Sequence, residues 1–464
     1  MVTHPPRWLF ILFPAIAMLL GWGLRGYIGG GPYGAMMPGC FVALSLALLL
    51  GYPMKTAAIA ALFGAVGVGY GGTMTYGQTL GFLRADDTVY WGLLGCLVKG
   101  SAWGLLGGVV LGIGLSRNHY RRKTLALAFL VSVVAFYVGV LLINGPRLLY
   151  FSDPINKPRD ESWAGILFAA VALLVFLRTQ GSKQALLIPL RFGLWGALGG
   201  GIGFAGGAVW MVVGPKLPIP PKIIGWWKVM EFFFGFSFGA ALGHCAYLNR
   251  SELHLAGQTG DSPKASWGPC LGYVAYVIAL FGGYTVLSQF DSGNTFSRFA
   301  LQVAFGYILF GTVTMVIGLH SLQGAWHGAI TMAFFHTVLD YTRDLKDVKN
   351  FGFTAPGMVQ LLLILISCAL VGYLVQRAYQ GANPVANLFL LAIWACYLSS
   401  CARSFIHYEM LFPSEGQGRI AHLLSEKPSI VFVHGTFTLS ALICSWIAWT
   451  RFRTSDSNRA ALSS

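Results

Sequence analysis

Three groups of polar residues stand inside otherwise apolar sequence, and each could do chemistry. Glu231 lies in Gly225-Trp226-Trp227-Lys228-Val229-Met230-Glu231-Phe232-Phe233-Phe234-Gly235. Counted from the start of its apolar run at residue 223, it is eight residues in. At ~1.5 Å per residue this is ~12 Å along a helix, near the middle of a ~30 Å hydrocarbon core. A carboxylate there is costly and normally faces a partner or a wet cavity, where it can hold a proton, a cation or a substrate. Lys228, three residues earlier, is one helical turn away and could pair with it structurally. Arg25 lies in Gly21-Trp22-Gly23-Leu24-Arg25-Gly26-Tyr27-Ile28-Gly29-Gly30-Gly31-Pro32-Tyr33-Gly34. The glycines and Pro32 should break the helix there, leaving backbone amides beside a fixed cation, a combination suited to an anionic group. An interfacial arginine closing a tight turn, with Trp22 and Tyr27 as belt aromatics, would look the same in sequence.

The third group is His320, His327, His336 and Asp340. His336 and Asp340 are four apart and would meet on one helix face. A proton relay, a haem ligand set or ordinary core histidines would all fit this spacing, and no tight metal motif such as H-E-x-x-H is present. His407, Glu409 and Arg403 sit in a late loop and read as solvated polarity. Lys99, four residues after Gly95, is expected to snorkel toward a headgroup. The lone G-x-G-x-x-G at Gly21–Gly26 lacks the strand that a dinucleotide site needs, and no catalytic triad order, P-loop or kinase set occurs.

These residues must be positioned by elements that live in lipid. Of 464 residues, 56% are hydrophobic and 10% charged, against about a quarter charged in soluble domains. A soluble fold could not bury so much apolar surface, whereas a bilayer accepts it if every backbone group is bonded within helices. The runs do not alternate in polarity, so barrel strands are excluded. The sequence predicts an all-α polytopic membrane protein of about fourteen spans: 8–27, 35–52, 55–73, 89–115, 124–144, 162–178, 187–213, 223–248, 267–288, 299–319, 325–341, 356–376, 385–402 and 429–450. Linkers are short, giving one transmembrane domain over residues 1–464 and no soluble domain. The first run continues into Gly-Trp-Gly-Leu-Arg with no cleavage site, so it reads as a retained helix. The eight cysteines are scattered through apolar segments, without metal or disulfide spacing.

Charge gives an orientation. Arg117, Arg121, Arg122 and Lys123, then Arg451 and Arg453, fall on the side of the termini, which the positive-inside rule makes cytoplasmic. The net charge of +15 suits anionic headgroups and, dispersed over short loops, leaves no footprint for nucleic acid.

Glycine is the most informative residue type. The 60 glycines cluster inside spans, often four apart, where they let two backbones approach. Gly64–Gly69 resembles Gly196–Gly201 at an offset of 132, and Gly104, Gly108, Gly112 recur as Gly235, Gly239, Gly243 at 131. This suggests a parallel internal repeat of four helices, with units near 55–180 and 187–319. Glu231 then stands where the first unit has Gly100.

These features lead to the expectation of a secondary transporter, a permease of a bacterial cytoplasmic membrane. It would move a small, anionic organic solute with proton or cation coupling and no cofactor. The expected binding residues are Glu231, Lys228, Arg25, His327, His336 and Asp340. A membrane-embedded enzyme or haem subunit using the histidines, and a non-catalytic subunit of a larger assembly, remain as alternatives.

Overall fold

Proline and glycine set the limits of the helices. Pro53 precedes one helix, and Pro356, Pro384 and Pro428 each open another, where a missing amide costs nothing. The structure is a computed structural model that describes residues 5–27, 31–153, 159, 161–180, 183–220, 222–257, 272, 275, 307–320, 324–326, 330, 356–407 and 428–452.

The helices are α1 (Arg7–Tyr27), α2 (Gly31–Leu49), α3 (Met54–Gly71), the short α4 (Gly77–Gly81), α5 (Val89–Leu115), α6 (Arg122–Gly139), α7 (Trp163–Gln180), α8 (Lys183–Val213), α9 (Trp226–Leu248) and α10 (Arg250–Gly257). Further helices cover Tyr307–Gly318, Pro356–Tyr379, Pro384–His407 and Pro428–Phe452. Among the described residues there is no strand, and ten helices are long and apolar enough to cross a membrane. The protein is thus a helical, multi-pass membrane protein. Of the expected spans, 267–288 and 325–341 lie almost wholly outside the described residues, and 299–319 is described only from residue 307.

Six helices close a ring in the order α1, α2, α3, α5, α8, α9 and back to α1. Glycine makes its tightest seams. A Cβ at Gly100 or Gly104 of α5 would overlap the backbone of Gly200 or Gly196 of α8, and one at Gly108 the carbonyl of Phe192. The second ladder does the same against α1: Gly235, Gly239 and Gly243 lie on the backbones of Met18, Pro14 and Phe10. The α3–α5 and α8–α9 contacts correspond closely. Gly67 packs on Val110 and Gly107, and Gly71 on Trp103; Gly199 packs on Ala241 and Phe238, and Gly203 on Phe234. Aromatic rings fill the centre, with Trp22, Trp103, Phe204, Phe234 and Phe238 all buried and in mutual edge or stacked contact.

Outside the ring, α6 and α7 pack through Gly139 and Gly165, and the helices Pro384–His407 and Pro428–Phe452 lie against α2 and α1. The outer face of α6 and of the turn that follows it exposes Leu127, Leu130, Val134, Val138 and Leu141 at helical spacing, a surface that only lipid or another apolar partner can cover.

Helix lengths differ widely. α3 has 18 residues and α8 has 31. α3 ends inside the bundle, where Gly71 meets Trp103, fourteen residues or ~21 Å along α5 from Val89. The chain then climbs out along α5: Thr75 lies beside Lys99, Thr79 beside Gly95 and Leu83 beside Gly92. α2 starts at the same place, since Gly72 packs against Gly31 and Pro32. Gly31 has φ of +62°, a left-handed conformation natural to glycine. Two helix ends therefore meet within the bundle, as the glycine and proline content around residue 31 predicts.

Candidate functional site

Arg25 is set by its helix and by this double break. It sits in the last turn of α1, is 2% exposed, and reaches across to the connection after α3. One guanidinium nitrogen donates to the Tyr76 hydroxyl at 2.6 Å and Nε to the Gly31 carbonyl at 3.4 Å. Three rings surround it, Trp103 at 5.1 Å, Tyr76 at 5.2 Å and Trp22 at 5.6 Å from their centroids. Cation–π attraction of this kind replaces part of the lost hydration. No carboxylate lies within ion-pair distance of Arg25 among the described residues.

Glu231 lies on the other side of the α1–α9 seam and is 1% exposed. As the glycine ladder predicts, it continues the row Gly243, Gly239, Gly235 and faces Gly26, where a Cβ would come within 2.7 Å of both carboxylate oxygens. Its depth differs from the sequence reading. Residues 222–225 are not helical and α9 begins at Trp226, so Glu231 is five residues in, ~7.5 Å along the axis. Lys228 donates to it at 2.5 Å and to the Gly23 carbonyl at 3.1 Å, and Trp227 Nε1 donates at 3.0 Å. The expected Lys228–Glu231 pair is therefore present. Trp227 is 37% exposed and stacks on Tyr76 at 6.1 Å, so the aromatic cluster reaches the surface beside the ion pair.

Arg25, Lys228 and Glu231 together carry two formal positive charges against one negative. The amino-terminal end of α2, beside Arg25, adds a partial positive charge. The arrangement gathers a planar donor, an ammonium held by Glu231 and the Gly23 carbonyl, a helix end and aromatic walls, groups whose chemistry is of the kind that attracts an anion.

Lys99 does not snorkel. It is 1% exposed and donates to the Thr75 carbonyl at 2.7 Å, Thr79 Oγ1 at 2.8 Å and Glu161 Oε1 at 2.7 Å. The connection after α3 passes directly alongside and supplies two of its partners. Glu161 also accepts from Ser152 at 2.8 Å and the Phe151 amide at 3.2 Å. Sequence reading missed Tyr76 and Glu161 as partners. The one available signal was the polar run Thr73-Met74-Thr75-Tyr76-Gly77-Gln78-Thr79 between two apolar spans.

Among the expected histidines, His320 is exposed and its Nδ1 lies 3.0 Å from the Val316 carbonyl. His327, His336 and Asp340 lie outside the described residues. The G-x-G-x-x-G run is helical, and its glycines serve packing against Pro38, Phe232 and the Lys228–Glu231 pair. No group of His, Cys, Asp and Glu among the described residues could hold a metal ion.

The chain matches no known family model, and no curated protein matches its sequence.

Proposed function

We propose that the protein is a secondary transporter, a permease for a small organic anion, coupled to a proton or cation. The observation that carries this reading is Arg25: a buried guanidinium without a carboxylate partner among the described residues, placed where α2 begins and α3 ends inside the bundle. Broken helices whose ends point into a bundle are how membrane transporters offer dipoles and unpaired backbone to solutes. In the proposed mechanism Arg25 binds the anionic group and Tyr76 orients the guanidinium. A bound anion competes with Glu231 for Lys228. The carboxylate, short of its counter-charge in a low-dielectric site, then takes up a proton or cation, linking the two movements.

The same reading includes about fourteen spans, both termini in the cytoplasm of a bacterial cell, and a parallel internal repeat. Support for the repeat comes from contacts that shift together. Gly67 and its partners Val110 and Gly107 map onto Gly199, Ala241 and Phe238, and Gly71–Trp103 onto Gly203–Phe234. Helices shift by 132 and their partners by 131, the offsets of the two glycine motifs. In this register Glu231 is an addition to a scaffold whose first copy has Gly100.

The test is thermal unfolding of detergent-purified protein with sugars, sugar acids, other carboxylates and amino acids, repeated with Arg25→Gln and Glu231→Gln. A ligand at ~100 times its Kd stabilises the folded state by about 2.7 kcal/mol. Carboxylates should raise the melting temperature of the wild type and fail to do so in Arg25→Gln. Glu231→Gln should fold, bind, and lose coupled uptake. Normal, pH-dependent uptake in Glu231→Gln would remove its role, and an anion shift that survives Arg25→Gln would remove the site.

A further inference from the structure

We infer that the buried Lys99–Glu161 pair is a positioning device for the Arg25 site, an inference that rests on the anion-binding reading above. The segment that carries Tyr76 is short and irregular: residues 72–76, the five-residue α4 and a single 3-10 turn. Such a segment has only a few turn and helix bonds of its own, beside the burial of Met74, Leu80 and Leu83. What fixes its polar groups is a knot of side chains from two neighbours. Lys99 takes the Thr75 carbonyl, next in the chain to Tyr76, and the Thr79 hydroxyl, on the far side of it. Glu161 fixes Lys99 from the linker between α6 and α7. Thr79 Oγ1 also donates to the Phe151 carbonyl at 2.8 Å, the Asp153 amide donates to the Gln78 side chain at 3.0 Å, and Thr73 and Ser162 hydroxyls lie 3.1 Å apart. Both carboxylate oxygens and three ammonium bonds are used within the knot, so the pair is built to hold and not to exchange. Tyr76 then extends from this clamped backbone to the Arg25 guanidinium. The chain of contacts runs from Glu161 through Lys99 and Thr75 to Tyr76 and Arg25. It makes residues 151–153 and 161–162, between α6 and α7, a brace for the site.

Replacing a buried pair by uncharged groups of similar shape removes the charge without leaving one half bare. The experiment therefore uses Lys99→Met/Glu161→Gln in the full chain in detergent, with Glu161→Asp as the conservative control. Two readouts are followed. The first is amide hydrogen exchange of peptides covering residues 72–84, with residues 54–70 of α3 as reference. The second is quenching of tryptophan fluorescence by iodide, an anionic probe, taken as the difference between each protein and the same protein carrying Arg25→Gln. Trp22 and Trp103 flank the guanidinium and report on it. The double variant should exchange residues 72–84 at least tenfold faster while α3 stays protected. It should lose more than half of the Arg25-dependent quenching, and Glu161→Asp should retain most of it. Unchanged exchange over residues 72–84 in a folded double variant would overturn the inference, as would faster exchange with full Arg25-dependent quenching. If wild type and Arg25→Gln quench alike, the anion site itself fails, and the exchange result alone decides whether the knot positions the segment. A double variant that does not fold is replaced by Glu161→Gln alone, judged on the same two readouts.

Discussion

Arg25 differs from most membrane arginines in what neutralises it. Rings and one hydroxyl surround it, and these groups soften burial without cancelling the charge. The planar shape of guanidinium is then essential, because it stacks and donates in a fork, whereas ammonium is a point charge. Arg25→Lys should keep the charge and still lose the site. Carboxylate binding should fall at least tenfold, about 1.4 kcal/mol, as read by titration of the thermal shift. Binding within twofold of wild type would mean that charge alone suffices. At this scale the sequence locates the charges and shows a partner only where it is local. Glu231 and Lys228 are three apart on one helix, so their pairing was legible. Arg25 and Tyr76 are 51 residues apart, and only the fold brings them together. Lys99 was misread for the same reason: its acid is 62 residues away, in the connection between α6 and α7.

Helix pairing depends on bare backbone. Gly104 faces Gly196 so closely that any side chain must part α5 from α8. Gly104→Ala should therefore destabilise by about 1–3 kcal/mol, as overpacking does. Gly77→Ala is the control. It is exposed, with nothing within 4 Å of a new Cβ, and should change stability by less than ~0.5 kcal/mol. Thermal melts of the two variants compare them directly. The ladders were legible because glycine four apart leaves a flat stripe; which helix each stripe meets was not, since both seams are long-range. At the opposite end of the ring Tyr52, in the turn between α2 and α3, ties helix ends together. Its hydroxyl lies 3.0 Å from the Leu115 carbonyl and 2.9 Å from that of Leu253. Burial pushes this phenol above its ordinary value of 10.0, because the phenolate would lose its hydration. A group raised in the folded state contributes stability in full below its unfolded value and loses it as pH rises beyond. Tyr52→Phe should cost about 1 kcal/mol at neutral pH, the net worth of one hydrogen bond. It should also soften the loss of melting temperature as pH rises past ~10. An unchanged alkaline limb would exclude Tyr52 as its source.

For the molecule as a whole, the proposed alternate crossing by α1 to α9, the short α4 apart, puts residues 72–88, 145–153, 161–162 and 214–220 on one side, with the Arg25 site near residues 72–76. The basic segment Arg117–Lys123 is then on the side of the amino terminus. Asp87, Lys216 and Arg122 are exposed and test this arrangement. In a cysteine-free background on intact cells, an impermeant maleimide should label Asp87→Cys and Lys216→Cys and leave Arg122→Cys untouched until the membrane is opened. Labelling of Asp87→Cys and Arg122→Cys from the same side would rule out the assigned crossing order. Composition made the membrane class legible, and runs without alternating polarity made it helical, since only helices and closed barrels satisfy backbone groups in lipid. The closed order of six helices was not legible, because hydropathy marks where a chain crosses and says nothing about neighbours.

The disparity between α3 and α8 bears on the membrane that surrounds them. At ~1.5 Å per residue, 18 residues span ~27 Å and 31 span ~46 Å, on either side of a ~30 Å hydrocarbon layer. Both belong to one ring and cannot adjust separately. α8, which exposes Leu194, Leu198 and Ile202, must tilt or stand proud, whereas α3 is enclosed by its neighbours and stops beside Trp103 with almost no surface left for lipid. Lipid thickness therefore bears on α8 first, and reaches the ring around the proposed anion site only through the glycine seam between α8 and α5.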